Sequence, residues 1–235
     1  MKNNNKFRLD VWGAITLGTI ALYALFLLYP MAYLIRQSVL DPDTGSFTLA
    51  YFTKFFSKSY YFDTLINSFK VSITATVLSI AIGTPLAYLF TIFKIKGKPV
   101  LNILIVVASM SAPFIGAYSW ILLLGRSGII TTFFKNLGIA IPDIYGFGGI
   151  VLVMTLQLFP LVFLYAKGAL KNIDNSLIEA AENLGCSGIA CFFKVVVPLI
   201  MPTLLAAALL VFMRSFADFG TPMLIGEGYR TFPVV

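Results

Sequence analysis

Arg214 and Asp218 stand four residues apart in an apolar stretch that runs from Leu199 to Phe219. Asn67, Asn102 and Gln157 also fall within apolar runs. Charged groups inside a bilayer are costly and often mark solute or ion pathways. At i, i+4 on a helix the two can instead pair with each other, with Arg214 snorkelling to the outer surface. A pathway or gate element and a self-neutralised pair are both open readings of Arg214 and Asp218. The amides read more simply as helix–helix hydrogen bonds. None of these groups does covalent chemistry. The chain has no His and no nucleophile beside a base. Gly-Phe-Gly-Gly at 146–149 lacks the Lys and Ser/Thr of a phosphate loop. Cys186 and Cys191, with no His near them, do not make a metal site. The expectation is no catalytic residue, no metal and no cofactor in this chain.

The elements that must carry these residues are membrane helices. Of 235 residues, 59% are hydrophobic and 11% charged, and the mean hydropathy is +0.90. Soluble domains carry roughly 25% charged residues, so a membrane protein is the default. A span needs about 20 apolar residues. Five segments qualify: Val11–Ile35, Asn67–Phe93, Val100–Leu124, Gly149–Leu170 and Leu199–Phe219. Lipid offers backbone groups no partners, so the spans are helices. The predicted fold is an all-α polytopic helix bundle. Pro30, Pro85, Pro113 and Pro160 lie inside four of the runs, and each is expected to kink its helix. The first run is too long for a cleaved signal peptide.

Short loops set the orientation. Lys94, Lys96 and Lys98 crowd the connection between the second and third runs without an acid, which places that loop in the cytoplasm. The basic N-terminus, with Lys2, Lys6 and Arg8, agrees. The net charge of +7 reads as this loop bias and not as nucleic-acid binding. Phe52, Phe55 and Phe56, then Tyr60, Tyr61 and Phe62, read as an aromatic belt at the headgroup level. A docking surface for an extracytoplasmic partner is the alternative. The loop from Arg126 to Phe147 should hold a short interfacial helix and turns.

Residues 171–198 form a polar loop on the same side as the lysines. Ser176 and Glu179 have the spacing of a capping box. A short helix from Leu177 to Leu184 should follow and stop at Gly185, which can take a left-handed conformation. Leu177, Ile178, Ala181 and Leu184 share one side of it. A second short helix is expected over about Ser187 to Phe193, with Pro198 at the entry of the next span. The loop contains Glu179-Ala180-Ala181, three free positions, Gly185, nine free positions, Val195, one free position, Val197 and Pro198. This pattern resembles the coupling loop of permease subunits of binding-protein-dependent ABC importers. There the two valine positions are Ile and Leu. The resemblance implies that Glu179, Ala180, Ala181, Gly185 and Pro198 form a slim knob seated in a cleft of an ATPase subunit. Glu179 would make a polar contact there; completing its own cap is the other reading.

The same resemblance implies a single domain over 1–235. It also implies a prokaryotic plasma (inner) membrane location with the N-terminus in the cytoplasm. The partners would be an ATPase subunit pair that hydrolyses ATP, a second permease half and an extracytoplasmic solute-binding protein. Such domains usually carry six helices, so about five of six are expected here, with the last one missing. Ser215-Phe-Ala-Asp-Phe-Gly-Thr-Pro-Met-Leu-Ile-Gly226 and Pro113-Phe-Ile-Gly-Ala-Tyr-Ser-Trp120 look most like the first half of an iron(III) permease. Polyamine and 2-aminoethylphosphonate permeases are similar there. A gradient-driven secondary transporter and a non-transporting membrane scaffold are the competitors from other classes. The first lacks midplane acids or matched repeats, and both leave the loop unexplained.

Overall fold

A computed structural model describes residues 11–41, 45–93, 96–110, 112–139 and 142–235. Lys2, Lys6, Arg8 and Lys94 fall outside these residues. The described residues are helical, joined by turns and one isolated bridge between Leu40 and Phe47.

The chain divides into two units, Met1–Phe62 and Asp63–Val235. The first holds α1 (Val11–Val39) and α2 (Ala50–Ser57). None of α1's residues is buried, as expected of an apolar helix whose solvent is lipid. A π-turn at Ala24–Leu28 precedes Pro30. The proline ring crowds the carbonyl four residues back, that of Phe26, and the wider turn relieves the clash. The aromatics expected to form a belt cluster here. Phe55 stacks on Tyr61 at 5.5 Å and meets Phe56 edge-on at 5.2 Å.

Two long helices lead the second unit: α3 (Ser59–Ile92), most of which lies in it, and α7 (Phe147–Lys171). The buried face of α3 is built of small residues, among them Ser68, Ser72, Ala75, Thr76, Ser79, Gly83 and Ala87. Small residues let helix backbones approach closely in a membrane, where dispersion replaces the hydrophobic effect. A Cβ at Gly83 would lie 2.8 Å from Val162 Cβ and 2.9 Å from the Phe159 carbonyl. Phe90 meets Phe163 edge-on at 5.2 Å further along. Core residues Val153, Val162, Phe163 and Ala166 of α7 are fully enclosed. Helix α9 (Gly188–Phe216) returns along α7 and buries Val196, Ile200, Ala207 and Val211. It has its own π-turn, Phe192–Val196, just before Pro198. Pro85, Pro160 and Pro202 lie inside helices.

The expected third span is not one helix. It divides into α4 (Lys98–Ser109) and α5 (Pro113–Leu124). Pro113 opens α5 and does not kink a continuous rod. Ala112 before it is extended, at φ −69° and ψ 141°, because the pyrrolidine ring disfavours helix at the preceding residue. A turn at 125–128 then leads to α6 (Ile129–Asn136), the short helix expected in the Arg126–Phe147 loop. Among the described residues, five segments are long and apolar enough to cross a membrane, the third now being Pro113–Asn136.

Candidate functional site

The second broken element is at the end of α9. The helix stops at Phe216, and a separate helix α10 (Gly220–Ile225) follows. The expected run to Phe219 is therefore interrupted inside the apolar stretch. Asp218 explains the break. Its Oδ1 accepts hydrogen bonds from the Gly220 N–H at 2.9 Å and the Thr221 N–H at 3.4 Å, and its Oδ2 accepts one from the Thr221 hydroxyl at 2.6 Å. A carboxylate aimed at the first turn is the usual helix N-cap. The carboxylate is committed to Gly220 and Thr221 and is not paired with Arg214: among the described residues, ion pairs are made only by Arg126.

Both breaks lie at one level and line an open-sided cavity of about 450 Å³. Its wall includes Ser109 and Pro113 at the α4–α5 break, Gln157 on α7, and Arg214 and Asp218. Gln157 is ten residues past Phe147, ~15 Å along a helix of roughly 37 Å at 1.5 Å per residue. The cavity is thus near mid-height of α7. Arg214 lies short of the Phe147 end of the bundle, because α10 turns back toward that end: the Ile225 carbonyl accepts a hydrogen bond from the Gly146 N–H at 2.9 Å. At its own level Arg214 is exposed along the open side of the cavity. Irregular backbone at membrane depth is tolerated where it lines a water-filled cavity or is buried in protein. The Ser215 hydroxyl points away, toward Met154 Sδ at 3.1 Å. Gln157 thus joins the two charged residues. Asn67 and Asn102 do not: Asn67 donates to the Arg230 carbonyl at 3.1 Å, and Asn102 accepts from Lys167 Nζ. The Asn102–Lys167 bond is an interhelical tie of the kind expected of amides, whereas Asn67 ties its helix to the irregular segment after α10.

At the Lys171 end of α7 the chain forms α8 (Asn175–Asn183). Its start differs from the expected capping box. Asp174 is the cap: its Oδ1 accepts from the Ser176 N–H at 3.0 Å. That backbone bond, with a side-chain bond from Ser176, lowers the Asp174 pKa below the ordinary aspartate range. Helix stability from this cap is therefore present above the ordinary pKa and is lost as the pH falls through the lowered one. Glu179 has no hydrogen bond or ion pair among the described residues. Its carboxylate is exposed at a crevice lined by Tyr88, Thr91, Lys171 and Ile173.

Gly185 ends α8 at φ +86°. The Cys186 N–H bonds the Ala181 carbonyl at 3.0 Å, closing a Schellman turn. The expected one-sided apolar face divides. Ile178 packs on the core and Ala181 is half-buried, while Leu177 is 50% and Leu184 89% exposed. Ile189, just beyond the turn, is 80% exposed. The second short helix is Gly188–Cys191, which runs on through the π-turn Phe192–Val196 into the rest of α9; Pro198 is exposed at the start of the stretch that follows. Of the two thiols, Cys191 is buried and Cys186 half-buried.

One polar group was not foreseen. Arg126 reaches Glu227 at 2.6 Å and Asp143 at 3.2 Å and lies 4.9 Å over the Tyr145 ring. It ties three connections at the Phe147 end. Glu227 sits 101 residues from Arg126, and no local signal pairs residues at that separation.

Comparison with known proteins follows the same lines. Residues 69–234 match the family model described as binding-protein-dependent transport system inner membrane component. The ferric transport system permease protein FbpB of Actinobacillus pleuropneumoniae is 28% identical over 97% of this chain, which spans 33% of that protein. The spermidine/putrescine transport system permease protein PotB of Haemophilus influenzae is 29% identical over 95% of this chain and 79% of its own length. A crystal structure of a bacterial alginate ABC transporter, in complex with a periplasmic protein bound to alginate pentasaccharide, superposes with a TM-score of 0.72. That match has 16% identity and covers 95% of this chain and 77% of the other. At that identity the likeness concerns the fold alone.

Proposed function

From the premise that this chain belongs to the family of binding-protein-dependent transport system inner membrane components, we propose that it is the membrane-spanning permease of an ATP-driven ABC importer. The family is one of permeases and not of enzymes. In this reading a solute passes from an extracytoplasmic binding protein through this chain and a second permease half. An ATPase pair supplies the free energy. The observation that carries the coupling role is α8. Its unengaged Glu179, slim Ala180 and Ala181, and the exposed Leu184 and Ile189 on either side of the Gly185 reversal make a small apolar knob. An apolar helical face of this kind is what a groove in a partner takes. Rigid-body closure of the ATPases would then be passed into α7 and α9, which flank the knob.

Charge supports the orientation. Lys98 and Lys171 lie within electrostatic reach of Lys167 at the end of α7 that bears α8, and basic ends face the cytoplasm. Cys186 is the native probe for this. A membrane-impermeant thiol reagent should label it in inside-out vesicles and leave it unlabelled in intact cells whose outer membrane, if present, has been opened. Labelling from outside would reverse the topology. Cys191, at 1% exposure, should stay unlabelled in both.

For the solute, iron(III) is our first choice, on the segments 113–120 and 215–226. A polyamine is the second, because the chain spans 79% of PotB. The test of the permease reading is reconstitution. Uptake should require ATP, the ATPase pair, a second permease half and a binding protein together. Gradient-driven uptake by this chain alone would favour a secondary transporter instead.

A further inference from the structure

The two charges at mid-height are not equivalent. Asp218 gives both carboxylate oxygens to the first turn of α10. Arg214 lines the same cavity and makes no hydrogen bond or ion pair among the described residues. Arginine stays charged in any protein environment. The wall therefore holds two formal charges of opposite sign, but the Asp218 acceptors are engaged while the Arg214 N–H donors are left over for a ligand, with Gln157 and the Ser109 oxygen beside them. The Ser109 hydroxyl already donates to the Val106 carbonyl at 2.6 Å. A guanidinium whose donors lack partners at this depth is costly, and the cost falls when a ligand brings an oxyanion to them.

We propose that this cavity takes its solute by an anionic group held on Arg214: a carboxylate, phosphate or phosphonate, or a metal ion carried inside anionic ligands. The proposal rests on the permease reading and narrows it. A bare polyamine is a multiple cation that Arg214 disfavours, and the Asp218 oxygens that could receive its ammonium groups already accept three hydrogen bonds. Iron(III) would pass this level as a complex whose net charge is negative, and not as the naked ion. The planar guanidinium suits two-point recognition of an oxyanion.

Two measurements test this, one independent of transport. In the assembled complex, with Cys186→Ser to remove the half-buried native thiol, Ser109→Cys places a reactive group in the cavity wall. Its reaction with a sulfonate-bearing and a trimethylammonium-bearing methanethiosulfonate reagent is followed, each rate normalised to that reagent's rate with a free small thiol. The anionic reagent should be favoured by about fivefold or more, as for fields focused in a low-dielectric cleft. Adding Arg214→Gln should bring the ratio near one, and Arg214→Lys should preserve most of it. No preference for the anion, or a preference that Arg214→Gln leaves unchanged, overturns the proposal. A partner carboxylate that neutralises Arg214 would give the first of these results. Failure of both Ser109→Cys and Gln157→Cys to react overturns the water-accessible cavity itself.

The second measurement is ATP-driven uptake by the complete system in proteoliposomes, with iron(III) citrate, 2-aminoethylphosphonate and spermidine as probes. Uptake of an anionic probe that falls at least about tenfold in Arg214→Gln and recovers in Arg214→Lys supports the assignment. Spermidine uptake by the native complex, with no anionic probe taken up, overturns it. Should no probe be taken up under ATP, the permease reading fails, while the thiol ratios still score the charge of the cavity.

Discussion

Gly185→Val is expected to cut uptake by the complete transporter at least about tenfold while ATP hydrolysis continues. The reason lies in the backbone. Gly185 sits at φ +86°, a region closed to β-branched residues and costing other L-residues roughly 1–2 kcal/mol. A Cβ there would meet nothing within 4 Å, so crowding plays no part. Valine would instead release the Schellman bond from the Cys186 N–H to the Ala181 carbonyl, 3.0 Å in the native turn. The chain would then leave α8 in another direction, and the exposed Leu184 and Ile189 on either side of the reversal would be re-aimed relative to each other. The test has an internal control. Gly185→Asn should keep uptake within about twofold of the native protein, because asparagine tolerates the left-handed region. Glu179→Lys should behave like valine for a different reason. It inverts a charge that no hydrogen bond or ion pair engages among the described residues, and the inversion would be felt by a partner. Normal coupled uptake in both Gly185→Val and Glu179→Lys would remove the coupling role.

That turn was legible because its determinants are local. A glycine nine residues after a cap fixes where a helix ends, and hydropathy over about 20 residues finds a span. The cap itself was misplaced by two residues. Asp174 and Ser176 are both good N-caps, and the choice between them followed from where α7 ends and α8 begins. The division of the third run had a signal that hydropathy does not weigh. Apolar length counts side chains, whereas the extended Ala112 comes from Pro113 acting on the backbone before it. Asp218-Phe-Gly-Thr-Pro also carries a start signal, an N-cap with a proline close behind. Reading Arg214 and Asp218 as one helical turn apart required a helix that this signal ends. The gathering of Ser109, Gln157 and Arg214 had no local signature. Each sits in a different helix, and only the packing of α4, α7 and α9 brings them to one level. The amides of Asn67, Asn102 and Gln157 look alike in sequence, and their depth and neighbours alone separate two structural ties from one cavity residue.

The close approach of α3 to α7 gives the second large effect. Gly83→Leu should lower the thermal stability of the detergent-solubilised protein by at least several degrees and reduce its yield from membranes. Leucine at this position would drive a Cβ to 2.8 Å from Val162 Cβ and 2.9 Å from the Phe159 carbonyl, with Phe163 N at 3.1 Å. Two of the three obstacles are main-chain atoms of α7, which no rotamer change can move. Overpacking of this kind costs about 1–3 kcal/mol, and more where the helices must separate. Separation would also pull Phe90 from Phe163, now edge-on at 5.2 Å. Pro160, inside α7 within this contact, sharpens the point. Its missing donor already weakens the α7 ladder there, so the two helices meet where α7 has one backbone bond fewer. Gly168→Leu on the same helix is the matched control, since nothing lies within 4 Å of a Cβ at that site. It should leave stability within about a degree or two, as surface changes usually do. Equal losses in the two variants would mean that glycine matters in these helices for a reason other than the α3–α7 contact. A loss confined to Gly83→Leu would instead make that crossing the rigid frame against which α8 moves and the mid-height cavity is held.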